Sequence, residues 1–276
     1  MAVNENGKGG GRIMNEKRRI SLLFFVLVMI FFYLPIIMLV TLSFNNSKNF
    51  IWTGFSLKWY IELFTSSPGL WQAFGRSILI GLTSSVFSVF VATFGAIGIK
   101  WYNSRMKNYV KFLNYIPLIL PDLIIGVALL IFFNMQIGMY KGVELGMTTI
   151  FIAHTAFNIP FSLFIIMARL DEFDYSIVEA ARDLGANEFQ TLLKVILPSM
   201  MQGIVSAFLM AMTLSLDDFV ITSFVTGTNS NTLPVQIYSM IKFGVSPVIN
   251  ALSTILIIGT IILSLSSRKL QKYMLN

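Results

Sequence analysis

Apolar positions in this chain come in runs too long for the buried face of a soluble helix. A helix that crosses a bilayer needs about 20 mostly apolar residues. Runs of that kind fall at Ile20–Phe44, Ser77–Ile99, Val110–Gln136, Gly146–Met167, Val195–Leu216 and Asn250–Ser267, and the fifth can continue to Val225. The first is too long for a signal-peptide core and shows no small-residue cleavage pattern, so it reads as a span. The pattern predicts an all-α membrane protein with six transmembrane helices over residues 20–267, between tails at 1–19 and 268–276. The tail Met1–Arg19 starts Gly-rich and is expected to be flexible. Pro117 and Pro121 are expected to interrupt the third span and Pro160 the fourth, because proline removes a backbone donor. No connecting loop has room for a soluble catalytic domain.

Composition narrows the class further. The 276 residues are 55% hydrophobic and 12% charged, against about 25% charged in a soluble domain. Mean hydropathy is +0.75. With no cysteine, a thiolate zinc site, an iron–sulfur cluster and a cysteine nucleophile are excluded. The net charge of +7 does not indicate nucleic acid once its placement is read. Lys8, Arg12, Lys17, Arg18, Arg19, Lys100, Arg105, Lys107, Lys111, Arg169, Arg182, Lys194, Arg268, Lys269 and Lys272 fall on one side of the six-span topology. Lys48, Lys58, Arg76, Lys141 and Lys242 fall on the other. The bias places both termini in the cytoplasm.

The connection between the fourth and fifth spans, about residues 170–198, is different in kind. It carries Asp171, Glu172, Asp174, Glu179, Asp183 and Glu188 among good helix formers. Ser176 and Glu179 fit a capping box. Ile177, Val178, Ala181 and Leu184 then share one helical face. Gly185 stands where a left-handed cap residue belongs. Asn187 can cap a second short helix with Phe189, Leu192, Leu193 and Ile196, ahead of Leu197-Pro198. Two amphipathic helices with a sharp turn are predicted. The small residues Ala180 and Ala181 allow close approach of another protein, and a helix that only covers the cytoplasmic ends of the spans fits the same pattern.

Three acids fall in or at the ends of spans. Asp122 lies about twelve residues into the third span, roughly 18 Å deep at the helical rise. An ionisable group there is costly and marks a pathway by default. It also follows Pro121, where a helix can restart with an acid at its amide-rich end. Asp217 and Asp218 lie roughly 30 Å from the cytoplasmic side, and two solvated carboxylates ending a helix would look the same. His154 is the single histidine, so a metal site is not expected of it. Packing through hydrogen bonds is expected for His154, Asn134 and Asn158.

The spacing Glu179-Ala180-Ala181, Gly185, Val195, Leu197-Pro198 resembles the cytoplasmic-loop signature of binding-protein-dependent ABC importer permeases, with Val195 where that family usually has Ile. Further stretches resemble the polyamine (spermidine/putrescine) branch of the family: Leu120-Pro-Asp122, Ile125–Leu130, Leu214–Val220, Ser223–Gly227, Leu233-Pro234, Ile237–Ile241, Gly244–Pro247 and Asn250–Leu252. The likeness runs from about Tyr33 to Leu265. It implies the ABC importer permease (MetI-like) architecture in a bacterial cytoplasmic membrane. It implies that Glu179, Ala180, Ala181 and Gly185 form a coupling helix that docks on an ATPase subunit. The implied partners are a second homologous permease, two copies of the ATPase, an extracytoplasmic polyamine-binding protein and membrane lipid, but no nucleic acid. ATP and Mg would reside on the ATPase, with no cofactor in this chain.

A polyamine is a flexible polycation with apolar segments, so spaced carboxylates and aromatic faces suit it. Asp122, Asp217 and Asp218 are the expected path residues, with Tyr238 and Trp71 as weaker candidates. Gly7–Gly10 lacks the spacing of a phosphate-binding loop, so nucleotide chemistry must come from another chain. Three rivals remain: a permease for another small solute, a carrier or channel acting alone, and an intramembrane aspartyl protease. The protease would pair Asp122 with Asp217, but the Gly-x-Gly-Asp motif of such enzymes is absent. A lone carrier has no reason to present the loop signature.

Overall fold

The computed structural model describes residues 7–101, 107–135, 142–244 and 246–274. In chain order its helices are α1 (Gly7–Ser43), α2 (Lys58–Thr65), α3 (Pro68–Trp101), α4 (Lys107–Ile119), α5 (Asp122–Asn134), α6 (Met147–Asp171) and α7 (Ser176–Asp183). They continue with α8 (Glu188–Thr191), a π turn (Leu192–Ile196), α9 (Leu197–Ser199), α10 (Met201–Asp217), α11 (Val220–Val225), α12 (Leu233–Phe243) and α13 (Pro247–Met274). Arg105 and Lys141, used in the charge count, and Gln136, the expected end of the third span, lie outside the described residues.

The six apolar runs take three forms. Ser21–Ser43, Pro68–Trp101 and Met147–Asp171 are continuous helices of membrane-crossing length. Two runs are bent pairs. The stretches Phe112–Ile119 and Asp122–Asn134 meet at 108°, and Glu188–Ser199 meets Met201–Asp217 at 63°. The sixth is the shorter apolar stretch Pro247–Ile262 of α13. Helical backbone begins at Gly7 and runs to Met274, so most of the two segments expected as tails continues α1 and α13.

Proline accounts for the first bend but not for every expected interruption. Pro121 sits at φ −60°, ψ 138°, and it drives the preceding residue out of the helical region. Pro117 and Pro160, by contrast, lie inside unbroken helices. A helix tolerates the lost donor where neighbours support the freed groups. The Asn114 Nδ2 of α4 donates to the Pro160 carbonyl of α6 at 3.2 Å, a bond that ties the two proline-bearing helices together.

The helices gather into two compact units. In one, α13 packs on α1 and α2, burying Trp59, Leu63, Val248 and Leu252. The loop after α1 is organised by buried Asn45. Its Nδ2 donates to the Ile51 carbonyl at 2.8 Å, and its Oδ1 accepts from the Thr53 amide at 3.0 Å. The Trp59 indole donates to the Asn45 carbonyl at 2.6 Å. The other unit holds α3 to α11. There α6 packs along α10, which buries Gly203, Ala207, Ala211 and Ser215 at four-residue spacing. Small residues in that register let two membrane helices approach closely. A Cβ on Gly203 would stand 2.9 Å from the Arg169 side chain. In the same unit α5 packs along α11.

Candidate functional site

The α7–α8 loop forms the predicted sharp turn. Gly185 adopts φ +85°, a region that costs any residue with a Cβ. Its amide donates to the Arg182 carbonyl at 2.8 Å, and the Ala186 amide donates to the Ala181 carbonyl at 3.0 Å. Those two bonds are the paired closure of a Schellman cap. Asn187 and Gln190 cap α8 reciprocally, with the Gln190 amide donating to Asn187 Oδ1 at 2.8 Å and the Asn187 amide to Gln190 Oε1 at 3.0 Å.

The first cap of the loop is not the one expected. Ser176 makes no capping box with Glu179, because it already lies inside α7 and its own amide needs a partner. Asp174 supplies it: Oδ1 accepts from the Ser176 amide at 2.9 Å. That bond holds the Asp174 carboxyl below the usual carboxylate range. Only Val178 of the predicted apolar face is fully buried, packed with Leu170, Ile196 and Met200. Ile177, Leu184 and Phe189 remain exposed, Leu184 at 89%. Glu179 and Ala180 are exposed and Ala181 is half-buried. The loop thus buries Val178, Thr191 and Ile196 and leaves an apolar and acidic surface open.

The three acids occupy two helix breaks. Asp122 is in the first turn of α5 and exposed. Asp217 ends α10 and is exposed, whereas the side chain of Asp218 is only 7% exposed. Asp218 has an extended backbone, and its carboxylate reaches forward to α11. Oδ1 accepts from the Ile221 amide at 3.2 Å, and Oδ2 accepts from the Thr222 amide at 2.8 Å. Of the pair, then, only Asp217 is a free-standing carboxylate ending a helix. Asp218 caps the next one. Gly126 of α5 faces α11 so closely that a Cβ on it would stand 2.7 Å from the Phe224 ring, and Asp122 lies one helical turn before it. Phe219, in the break itself, packs on Tyr238 at 4.6 Å between ring centroids. Trp71 instead packs against Phe74.

Residues 86–274, more than half of the chain, match the family model described as binding-protein-dependent transport system inner membrane component. The chain is 37% identical over 246 residues to the spermidine/putrescine transport system permease protein PotC of Escherichia coli K12, covering 89% of this chain and 91% of that one. The chain belongs to this permease family. It is also 39% identical over 234 residues to the putrescine transport system permease protein PotI of the same strain, covering 84% and 83% of the two chains. In fold it resembles a subunit of a bacterial ABC transporter involved in the import of the acidic polysaccharide alginate. That match has a TM-score of 0.69 at 17% identity and covers 98% and 99% of the chains.

As a binding-protein-dependent permease the chain is a multi-pass membrane component of an ABC importer. It is not an enzyme: the ATPase of such an importer is a separate subunit. The protease reading of Asp122 and Asp217 therefore falls away.

Sequence reasoning missed what His154 holds in this permease. The ring lies fully buried in α6. Nδ1 is 2.6 Å from Ser215 Oγ, and Nε2 is 2.8 Å from Thr222 Oγ1 and 3.2 Å from Asp218 Oδ2. The expected packing role is thus a polar junction of α6, α10 and α11. A signal for part of it was present in the sequence, since an acid three and four residues ahead of Ile221 and Thr222 is an N-cap pattern. Asn158 departs from expectation in the other direction. It is completely buried, yet neither carboxamide atom has a hydrogen-bond partner among the described residues. Asn134 is exposed, and its Nδ2 donates to the Leu130 carbonyl at 2.8 Å.

Proposed function

We propose that this permease carries polyamines, spermidine or putrescine, into the cell by alternating access. The observation that carries the reading is the near full-length identity to permeases named for spermidine/putrescine and for putrescine transport. The site chemistry is compatible with it. Asp122 and Asp217 offer exposed carboxylates at two helix breaks, and the Phe219–Tyr238 pair beside Asp217 offers aromatic faces for methylene and ammonium groups.

In this proposal the chain pairs with a second homologous permease, two ATPase copies and an extracytoplasmic binding protein, with both termini in the cytoplasm. ATP and Mg bind the ATPase. Its closure pushes on the α7–α8 loop through Glu179, Ala180, Ala181 and Gly185. The exposed Ile177, Leu184 and Phe189 supply apolar contact there. The path acids bind substrate transiently, and high-affinity selection belongs to the binding protein.

The deciding measurement is uptake of labelled spermidine and putrescine in cells without polyamine importers of their own. The cells express this chain with its partner subunits, with and without the ATPase. ATPase-dependent uptake of either polyamine is expected. An assembled complex that hydrolyses ATP but takes up neither would return the substrate to another small solute. Uptake that persists without the ATPase would overturn the coupled mechanism.

A further inference from the structure

The polar groups around His154 form one connected set of short contacts. The Asp218 carboxylate can only accept, and its closest side-chain partner is the Thr222 hydroxyl, 2.6 Å from Oδ2. Thr222 therefore donates to Asp218, which leaves its oxygen to accept from His154 Nε2 at 2.8 Å. The same Nε2 is 3.2 Å from Asp218 Oδ2, and on the other side of the ring Nδ1 is 2.6 Å from the Ser215 hydroxyl oxygen. Ser215 in turn stands 3.3 Å from the Ser84 hydroxyl of α3. The relay from Ser84 through Ser215, His154 and Thr222 to Asp218 satisfies every member, which is the condition under which a buried network rigidifies its surroundings. It also crosses the α10–α11 break: Ser215 precedes it, and Thr222 follows it.

We infer that His154 is the positioning residue of this break, holding α10 through Ser215 and α11 through Thr222 and Asp218. It thereby fixes the direction in which the adjacent Asp217 carboxylate is presented. The inference rests on the reading of Asp217 as a path residue only for its effect on transport. The clamp itself stands on the geometry alone. Imidazole suits the task because its two nitrogens, on opposite sides of a rigid ring, can accept on one side and donate on the other.

The test uses the assembled transporter and the absence of cysteine in this chain. Asp217→Cys provides a reporter, read by its rate of modification with a membrane-impermeant thiol reagent. This readout needs no substrate. In the His154→Leu background the rate is expected to change at least about threefold. His154→Gln, whose carboxamide can accept and donate, should restore most of the original rate. Thr222→Val keeps the side-chain shape and cuts the relay on the Asp218 side alone. It should reproduce the His154→Leu change, and it keeps the test open if His154→Leu does not insert.

With Asp217 intact, polyamine uptake should fall about threefold in His154→Leu and recover in His154→Gln. The double variant His154→Leu/Thr222→Val should lose no more than the worse single. An unchanged labelling rate in both His154→Leu and Thr222→Val, or fully additive losses of uptake, would overturn the inference. No polyamine uptake by the unaltered complex would instead overturn the substrate reading and leave the labelling result to decide the clamp.

Discussion

Arg182 Nη2 lies 2.9 Å from Glu188 Oε1, so an ion pair between α7 and α8 spans the turn made by Gly185. Both side chains are exposed, and such a pair contributes at most about 1 kcal/mol. The turn is held mainly by its backbone: the two Schellman bonds and the reciprocal Asn187–Gln190 cap. A loop built this way can transmit a push as a unit, because its two short helices cannot hinge freely about Gly185.

Gly185→Val should therefore abolish substrate-stimulated ATPase activity of the assembled transporter while the chain still inserts. A Cβ at this position meets nothing within 4 Å, so the effect comes from the backbone alone. The left-handed conformation costs a residue with a Cβ about 1–2 kcal/mol, and a β-branched side chain adds to that. Gly185→Asn, which tolerates this region, should retain most of the coupling. Normal stimulation in Gly185→Val would remove the turn from the coupling mechanism.

Asp174 gives the same loop a pH dependence. Its carboxyl is held below the usual range by the Ser176 amide, so a carboxylate favours the folded loop over the unfolded one. That contribution is fully present above the unfolded value of about 3.9. It is lost as pH falls through the lower folded value. Amide exchange at Ser176 and Ile177, referred to its intrinsic rate at each pH, should accelerate below about pH 4 and match that of Asp174→Ala there. At neutral pH only the variant should exchange faster. Equal protection in both proteins at neutral pH would deny Asp174 the capping role.

What the sequence made legible follows from locality. The spans depend on run length, and the Gly185 and Asn187 caps on residues within five positions of each other. These elements appear where hydrophobic periodicity and turn chemistry put them. Ser176 misled because its spacing to Glu179 fits a capping box, but Asp174, two residues earlier, reaches the orphan amide first. The His154 junction was not legible for another reason. It joins residues 84, 154, 215 and 222, which only the packing of α3, α6, α10 and α11 brings together. The same packing separates Asp217 from Asp218, two neighbours with the same chemistry and different surroundings.

That separation predicts opposite phenotypes. Asp217→Asn removes one exposed charge and should leave thermal unfolding in detergent unchanged. Spermidine uptake should fall roughly two- to five-fold, the scale of one exposed charge pair. Asp218→Ala strips the acceptor from the Thr222 amide and hydroxyl, and an unsatisfied buried donor costs about 1–3 kcal/mol. Unfolding should shift down by several degrees, with uptake lost through stability. If Asp217→Asn proves the less stable of the two, the assignment of cap and path acid is reversed.

Among the described glycines, Gly227 sets the strictest steric condition. The segment after α11 is fastened at several points: the Thr149 hydroxyl donates to the Val225 carbonyl at 2.7 Å, and the Gly227 amide donates to Ser230 Oγ at 2.7 Å. A Cβ on Gly227 would overlap the Leu145 carbonyl oxygen and stand 2.6 Å from its carbon. The obstacle is backbone rather than the end of a flexible side chain, so it cannot swing aside. Overpacking typically costs about 1–3 kcal/mol, and Gly227→Ala should lie at or above the top of that range. Gly259→Ala is the matched control, since its Cβ meets nothing within 4 Å and lies in a helix, where alanine is favoured over glycine by about 1 kcal/mol. Thermal unfolding in detergent should show a large downward shift for the first and none for the second. Equal midpoints would mean that Leu145 can move, and that the contact does not fix the end of α11.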